Sequence, residues 1–125
     1  MDGVRRSLDD AAANPHARPW YRAIYADGTP VGFVMLADDV PAGATEFPWR
    51  YFLWRFLIGE RFQGLGYGRA ALDPVVAYVR TCPGAESLMT SFVPGDGSPL
   101  GFYLKCGFEQ TGELFGSEEV LRLRL

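Results

Sequence analysis

Apolar side chains in the first fourteen residues, Val4, Leu8, Ala11 and Ala12, fall near helical spacing and stop at Asn14-Pro15, which predicts a short helix and then a break. Arg5, Arg6, Asp9 and Asp10 make its polar face. Beyond the break the pattern turns β-like. Residues 20–25 and 31–37 are rich in aromatic and branched side chains, and Ala26-Asp27-Gly28-Thr29-Pro30 between them predicts a hairpin turned at Asp-Gly. Residues 38–49 hold two prolines and a glycine and form the longest irregular loop, the kind of segment that carries binding specificity. Residues 51–58, Tyr-Phe-Leu-Trp-Arg-Phe-Leu-Ile, are almost continuously apolar, as in a strand covered on both faces.

Further on, Leu72, Val75, Val76 and Val79 fall at i, i+3, i+4 and i+7, one face of a helix running to about Thr81. Pro74 lies inside it. Proline cannot bond the carbonyl of Ala70 and costs roughly 3 kcal/mol in a regular helix interior, which predicts a kink or a restart near Asp73. Residues 88–93 read as another strand, Pro94-Gly95-Asp96-Gly97 as a turn, and 98–106 as a helix stopped by Gly107. The alternation in 119–125 predicts a last strand.

Between the apolar strand and the helix lies Arg61-Phe62-Gln63-Gly64-Leu65-Gly66-Tyr67-Gly68-Arg69. Three glycines at alternate positions, where a strand turns into a helix, let backbone N–H groups converge on an anion at the positive end of the helix. Unused, each would cost ~0.5–1 kcal/mol in unfolded-chain entropy. A dinucleotide fingerprint needs glycine at the sixth position counted from Gly64, where Arg69 stands, and no nucleotide half-unit precedes it. A Walker loop needs Gly-Lys-Ser/Thr and finds Gly68-Arg69-Ala70. Both fail on spacing.

Composition narrows the partners. With 125 residues, 48% of them apolar, the chain fits a single domain, 1–125, with a real core. A net charge of -3 argues against nucleic acid or an anionic membrane as partner. No secretory segment follows Met1, and Arg50 and Arg55 interrupt the greasiest stretch, so no membrane span is expected. The two cysteines, Cys82 and Cys106, then fit a reducing, cytoplasmic setting, and with His16 as the one histidine they match no metal-ligand spacing.

Gln63-Gly64-Leu65-Gly66-Tyr67-Gly68 resembles motif A of the GNAT superfamily of acyl-coenzyme A dependent N-acyltransferases, Gln/Arg-x-x-Gly-x-Gly/Ala, preceded as in that family by a strand. Phe102-Tyr103-Leu104-Lys105-Cys106-Gly107-Phe108 resembles its motif B, and Thr111-Gly112-Glu113 is similar to what commonly follows. Leu53-Trp54-Arg55-Phe56 looks most like bacterial members near the diamine and polyamine acetyltransferases. The resemblance implies an α+β or α/β fold, a mixed central sheet flanked by helices, and an acetyltransferase taking acetyl-coenzyme A and a small-molecule primary amine, with no metal. It implies that Gln63 and the backbone of Gly64, Leu65, Gly66, Tyr67, Gly68 and Arg69 hold the pyrophosphate. Backbone groups of Phe56, Leu57 and Ile58 would pair with the pantetheine arm, and Tyr103 would protonate the departing thiolate. Asp96 stands where motif B often has asparagine.

Two departures shape the expectations. Many relatives carry a glutamate base where this chain has Trp54, which leaves Asp38, Asp39, Glu46 and Glu60 as candidate carboxylates, or water or backbone in that role. Only about nineteen residues precede Trp20, too few for the family's opening strand and its helix, so the fold is expected to be N-terminally shortened and the exposed sheet edge to be covered in a homodimer. The alternative function is a degenerate member that binds acyl-coenzyme A as a sensor or interaction module without turnover; a purely structural subunit is a third reading.

Overall fold

A computed structural model of the chain describes residues 2–43 and 48–125, with side chains from Val4 onward. Its elements are α1 (Asp2–Ala13), β1 (Pro19–Ala26), β2 (Thr29–Asp38), β3 (Tyr51–Ile58), α2 (Tyr67–Arg80), β4 (Ser87–Phe92), α3 (Leu100–Lys105), β5 (Glu109–Phe115) and β6 (Glu118–Arg124). The strands form one mixed sheet in the order β1-β2-β3-β4-β6-β5. β3 and β4 run parallel, and the other neighbours are antiparallel.

The helices divide between the two faces. Leu72, Val75, Val76 and Val79, the predicted apolar stripe of α2, pack on Val34, Leu36, Leu53 and Leu88, and Tyr103 and Phe108 extend the same cluster under α3. On the opposite face α1 packs Ala11 and Val4 on Phe33, Met35 and Trp54, and Asp10 is bonded by Arg55 of β3 at 2.9 Å. Among the described residues no helix is long and apolar enough to cross a membrane.

Asp27 and Gly28, at φ 50° and 78°, close β1 onto β2 in a two-residue turn, tighter than the five-residue linker suggested. α2 runs unbroken through Pro74 from Tyr67 to Arg80, so the expected restart near Asp73 does not occur. One lost hydrogen bond is outweighed by four buried apolar side chains on that helix, each worth about 1.5–3 kcal/mol. β3 is fully buried only at Tyr51, Phe52 and Leu53 and half-buried beyond, so it is covered on both faces for less than half its length. β5 went unpredicted: it is an outer strand of polar residues interrupted by Gly112, with a register shift between Gln110 and Leu114, and so lacks the apolar alternation that marks a half-buried strand.

Two features open the sheet in its middle. β3 pairs with β4 only through Phe52↔Met89 and Leu53↔Thr90. One residue further, Trp54 is extra relative to β2, because Met35 pairs with Arg55 and Leu36 with Leu53. A bulge bends the strand that carries it, and past this one β3 and β4 diverge.

Candidate active site

A cleft of about 530 Å³ occupies the divergence on the α2 and α3 face. Its lining comes from β3 (Phe56, Ile58), the glycine turn (Gln63, Gly64, Gly66, Gly68, Arg69), the segment before α3 (Gly97, Ser98, Pro99) and α3 itself with its end (Phe102, Tyr103, Lys105, Cys106). Two segments distant in the sequence therefore meet in one place.

The glycines of the turn have different reasons. Gly64 and Gly66 sit at φ 77° and 84°, where a side chain is strained, and a Cβ on either would meet nothing within 4 Å. They shape the turn and leave its surface open. Gly68 has ordinary φ, but a Cβ there would stand 2.9 Å from Cε1 of Phe102, whose ring stacks on Phe56 with centroids 5.9 Å apart. Gly68 thus lets α2 approach α3. Gly66 is the N-cap of α2 and offers no side-chain cap, so the first N–H groups of that helix, which no residue within the helix can satisfy, face the cleft mouth with the positive end of the helix dipole. An open, uncapped helix start with flat glycine walls fits a pyrophosphate group. Arg69 donates from Nη1 to the carbonyl of Lys105 at 3.1 Å, tying α2 to α3 and adding cationic side chains at the mouth.

Along β3 the backbone alternates between its two edges. The N–H of Gly59 donates to Val31 of β2 at 2.7 Å, and the carbonyl of Leu57 lies where a Cβ on Gly32 would touch it, so Leu57 also turns its backbone to β2. Phe56 and Ile58 accordingly turn theirs to the cleft, where Gln63 Nε2 donates to the carbonyl of Ile58 at 3.0 Å. This corrects the expectation for Leu57, whose polar groups are committed to the neighbouring strand.

Tyr103 lies at the cleft's inner end, 6% exposed, edge-on to Phe102 and Phe108 at 5.4 and 5.2 Å. Its hydroxyl lies beside Thr90, which donates to the carbonyl of Leu53 at 3.0 Å, at the last rung before β3 and β4 part. Burial pushes the Tyr103 phenol up to about 12, the Thr90 hydroxyl drawing it partly back. The phenol is therefore protonated throughout the neutral range. Burial likewise raises the nearby Cys106 thiol, with Arg69 opposing.

The side chains of other sequence candidates lie outside the cleft. Leu65 is 63% exposed on the turn and the Tyr67 ring turns into a second groove beside β1, while the Tyr67 N–H stays in the uncapped first turn of α2; Asp96 is exposed next to the lining residues Gly97 and Ser98. Asp38 accepts a hydrogen bond from the Tyr78 hydroxyl, and Asp39 is paired with Arg50. Asp38 stands opposite Tyr51, the whole of β3 and roughly 20 Å from the glycine turn. Glu60 is exposed in the 3-10 turn Glu60–Phe62 and does not line the cleft. Glu46 lies outside the described residues. Unanticipated lining residues are Phe62, Ser98, Pro99, Phe102, Lys105 and Cys106; the signal for most of them was their place within or just before the second motif.

Such a cleft, with an uncapped helix start at its mouth and a protonated phenol at the parting of two parallel strands, has the shape and chemistry that suit an enzyme with a long anionic cosubstrate. Residues 2–108 match the family described as acetyltransferase (GNAT) family. The chain is 26% identical to a spermine/spermidine N(1)-acetyltransferase of Bacillus subtilis over 122 residues, which covers 97% of this chain and 79% of that protein. Among solved structures it is similar to an acetyltransferase of Thermus thermophilus, with TM-score 0.72, 22% identity, and coverage of 96% and 71% of the two chains. A PaiA N-acetyltransferase of Thermoplasma acidophilum in complex with coenzyme A gives TM-score 0.70 at 16% identity, with coverage of 96% and 70%. The chain belongs to the GNAT acetyltransferase family and is an N-acetyltransferase by class.

Proposed function

We propose that this chain transfers the acetyl group of acetyl-coenzyme A directly to the primary amine of a small cationic acceptor, in a cytoplasmic setting where both cysteines are thiols. The observation that carries this reading is the convergence of the uncapped start of α2, the backbone edge of Phe56 and Ile58 that no strand pairs, and the Tyr103 hydroxyl on one cleft. In this reading the N–H groups of the turn and α2 hold the pyrophosphate, and the edge of β3 orients the pantetheine arm. Tyr103 gives its proton to the sulfur as the carbon–sulfur bond breaks. At a pKa of about 12 the phenol is a weaker acid than free tyrosine, yet still far stronger than water. Juxtaposition of amine and thioester supplies much of the remaining rate.

A diamine or polyamine acceptor is supported by the Bacillus relative, whose name specifies spermine and spermidine. Calorimetric titration with acetyl-coenzyme A, followed by thiol release over a panel of diamines, polyamines and amino acids, tests both levels. Binding without thiol release from any amine would favour the sensor reading instead.

We also propose a homodimer through the outer edge of β1. Among the described residues that strand pairs only with β2; it exposes Tyr21 and Tyr25 (63% exposed) and borders an apolar groove of about 470 Å³ against α2. A sedimentation measurement giving a clean monomer at micromolar concentration would refute it.

A further inference from the structure

The vertex of the divergence has two faces, and the cleft uses one. Thr90 and Ser91 are neighbours on β4 at the point where β3 leaves it, so their side chains point to opposite faces of the sheet. Thr90, 1% exposed, lies beside the Tyr103 hydroxyl on the cleft face. On the other face Ser91 Oγ donates to Oε1 of Glu118 at 3.0 Å. Glu118 is half-buried at the start of β6, directly across from Phe115 of β5. Phe115 and the bulged Trp54 both pack around Phe52 and Met89 on this same face. The vertex is thus bracketed by a proton donor on one side and, on the other, a carboxylate held by Ser91 and set across from Phe115. The other described carboxylates considered above lie at the far end of β3, on the exposed turn, or paired with arginine.

Building on the transferase reading, we infer that Glu118 is a catalytic residue: it receives the acceptor's amine on the face opposite the cleft and takes the proton that nitrogen sheds. The transfer balances. The attacking nitrogen enters as the neutral amine; its lone pair forms the carbon–nitrogen bond to the acetyl carbon, and the carbon–sulfur pair departs with sulfur. One proton passes from nitrogen to the Glu118 carboxylate, and one passes from Tyr103 to sulfur. Water then returns both side chains to their starting states. Ser91 positions the carboxylate without touching the reacting atoms.

Glu118→Gln keeps the oxygen that accepts from Ser91 and removes the charge and basicity. At saturating acetyl-coenzyme A, kcat/KM for the best amine of the panel should fall about 10²-fold. Calorimetry should show coenzyme A affinity unchanged within about twofold and weaker binding of spermidine to the coenzyme A-loaded chain. Wild-type kcat/KM and spermidine affinity in the variant would overturn the role of Glu118 and leave the transferase reading standing. A wild-type chain that releases no thiol with any amine would overturn both. Should Glu118→Gln not fold, Ser91→Ala reads the same point: a fall of about fivefold in kcat/KM with coenzyme A affinity retained supports the assignment, and no change refutes it.

Discussion

Tyr103→Phe separates the chemical role of the phenol from its structural one. The ring is buried against Phe102 and Phe108, and Phe keeps both edge-on contacts. The Thr90 hydroxyl keeps the carbonyl of Leu53 as its acceptor, so the change leaves that donor paired. The expected stability loss at neutral pH is therefore about 1 kcal/mol or less. Stability should diverge in alkali. The folded-state phenol sits at about 12 against an ordinary value of 10.0, so its contribution is fully present below pH 10 and is lost as pH rises through 12. At about pH 11 the wild type should have lost about 1.4 kcal/mol that the variant cannot lose, from the linkage between ionisation and folding. Urea unfolding at pH 8 and pH 11 measures the difference. In turnover, loss of the acid should lower kcat by roughly 10²–10³ with coenzyme A affinity unchanged. Equal losses in kcat and affinity would refute the acid role, and identical alkaline slopes in the two proteins would refute the buried, raised phenol.

Gly66→Ala places a side chain at φ 84° with free space around it, so the cost is conformational alone, about 1–3 kcal/mol in urea unfolding, together with weaker acetyl-coenzyme A binding by calorimetry as the turn distorts. Gly68→Ala acts differently: its Cβ meets Phe102 at 2.9 Å, and forcing that ring off Phe56 should cost about 1–3 kcal/mol of stability, partly recovered by adding Phe102→Leu. A double substitution that is fully additive would show that the two positions do not touch.

Local chemistry was legible in the chain. The hairpin at Asp27-Gly28, the stripe of α2 and the glycine turn all follow from spacings within a few residues, where the backbone's own geometry decides. β5 escaped because an outer strand buries little, and its pairing with β6 rather than any apolar pattern holds it. A restart at Pro74 does not occur because its local cost is set against packing that only the folded sheet supplies.

By itself the sequence determined a glycine turn where a strand gives way to a helix and a second motif bearing Tyr103, since both are runs of consecutive residues. The tertiary structure decided what surrounds them. It separated Asp38 and Asp39 from the site by the length of β3, turned the backbone of Leu57 away from the cleft, and gave Gly68 a packing role against Phe102 beside its place in the cleft lining. It also brought Glu118 to the vertex, because the register of β4 against β6 and the bulge at Trp54 depend on hydrogen bonds between segments far apart in the chain, and no spacing along the sequence encodes which face of a sheet a residue shares with a partner on another strand.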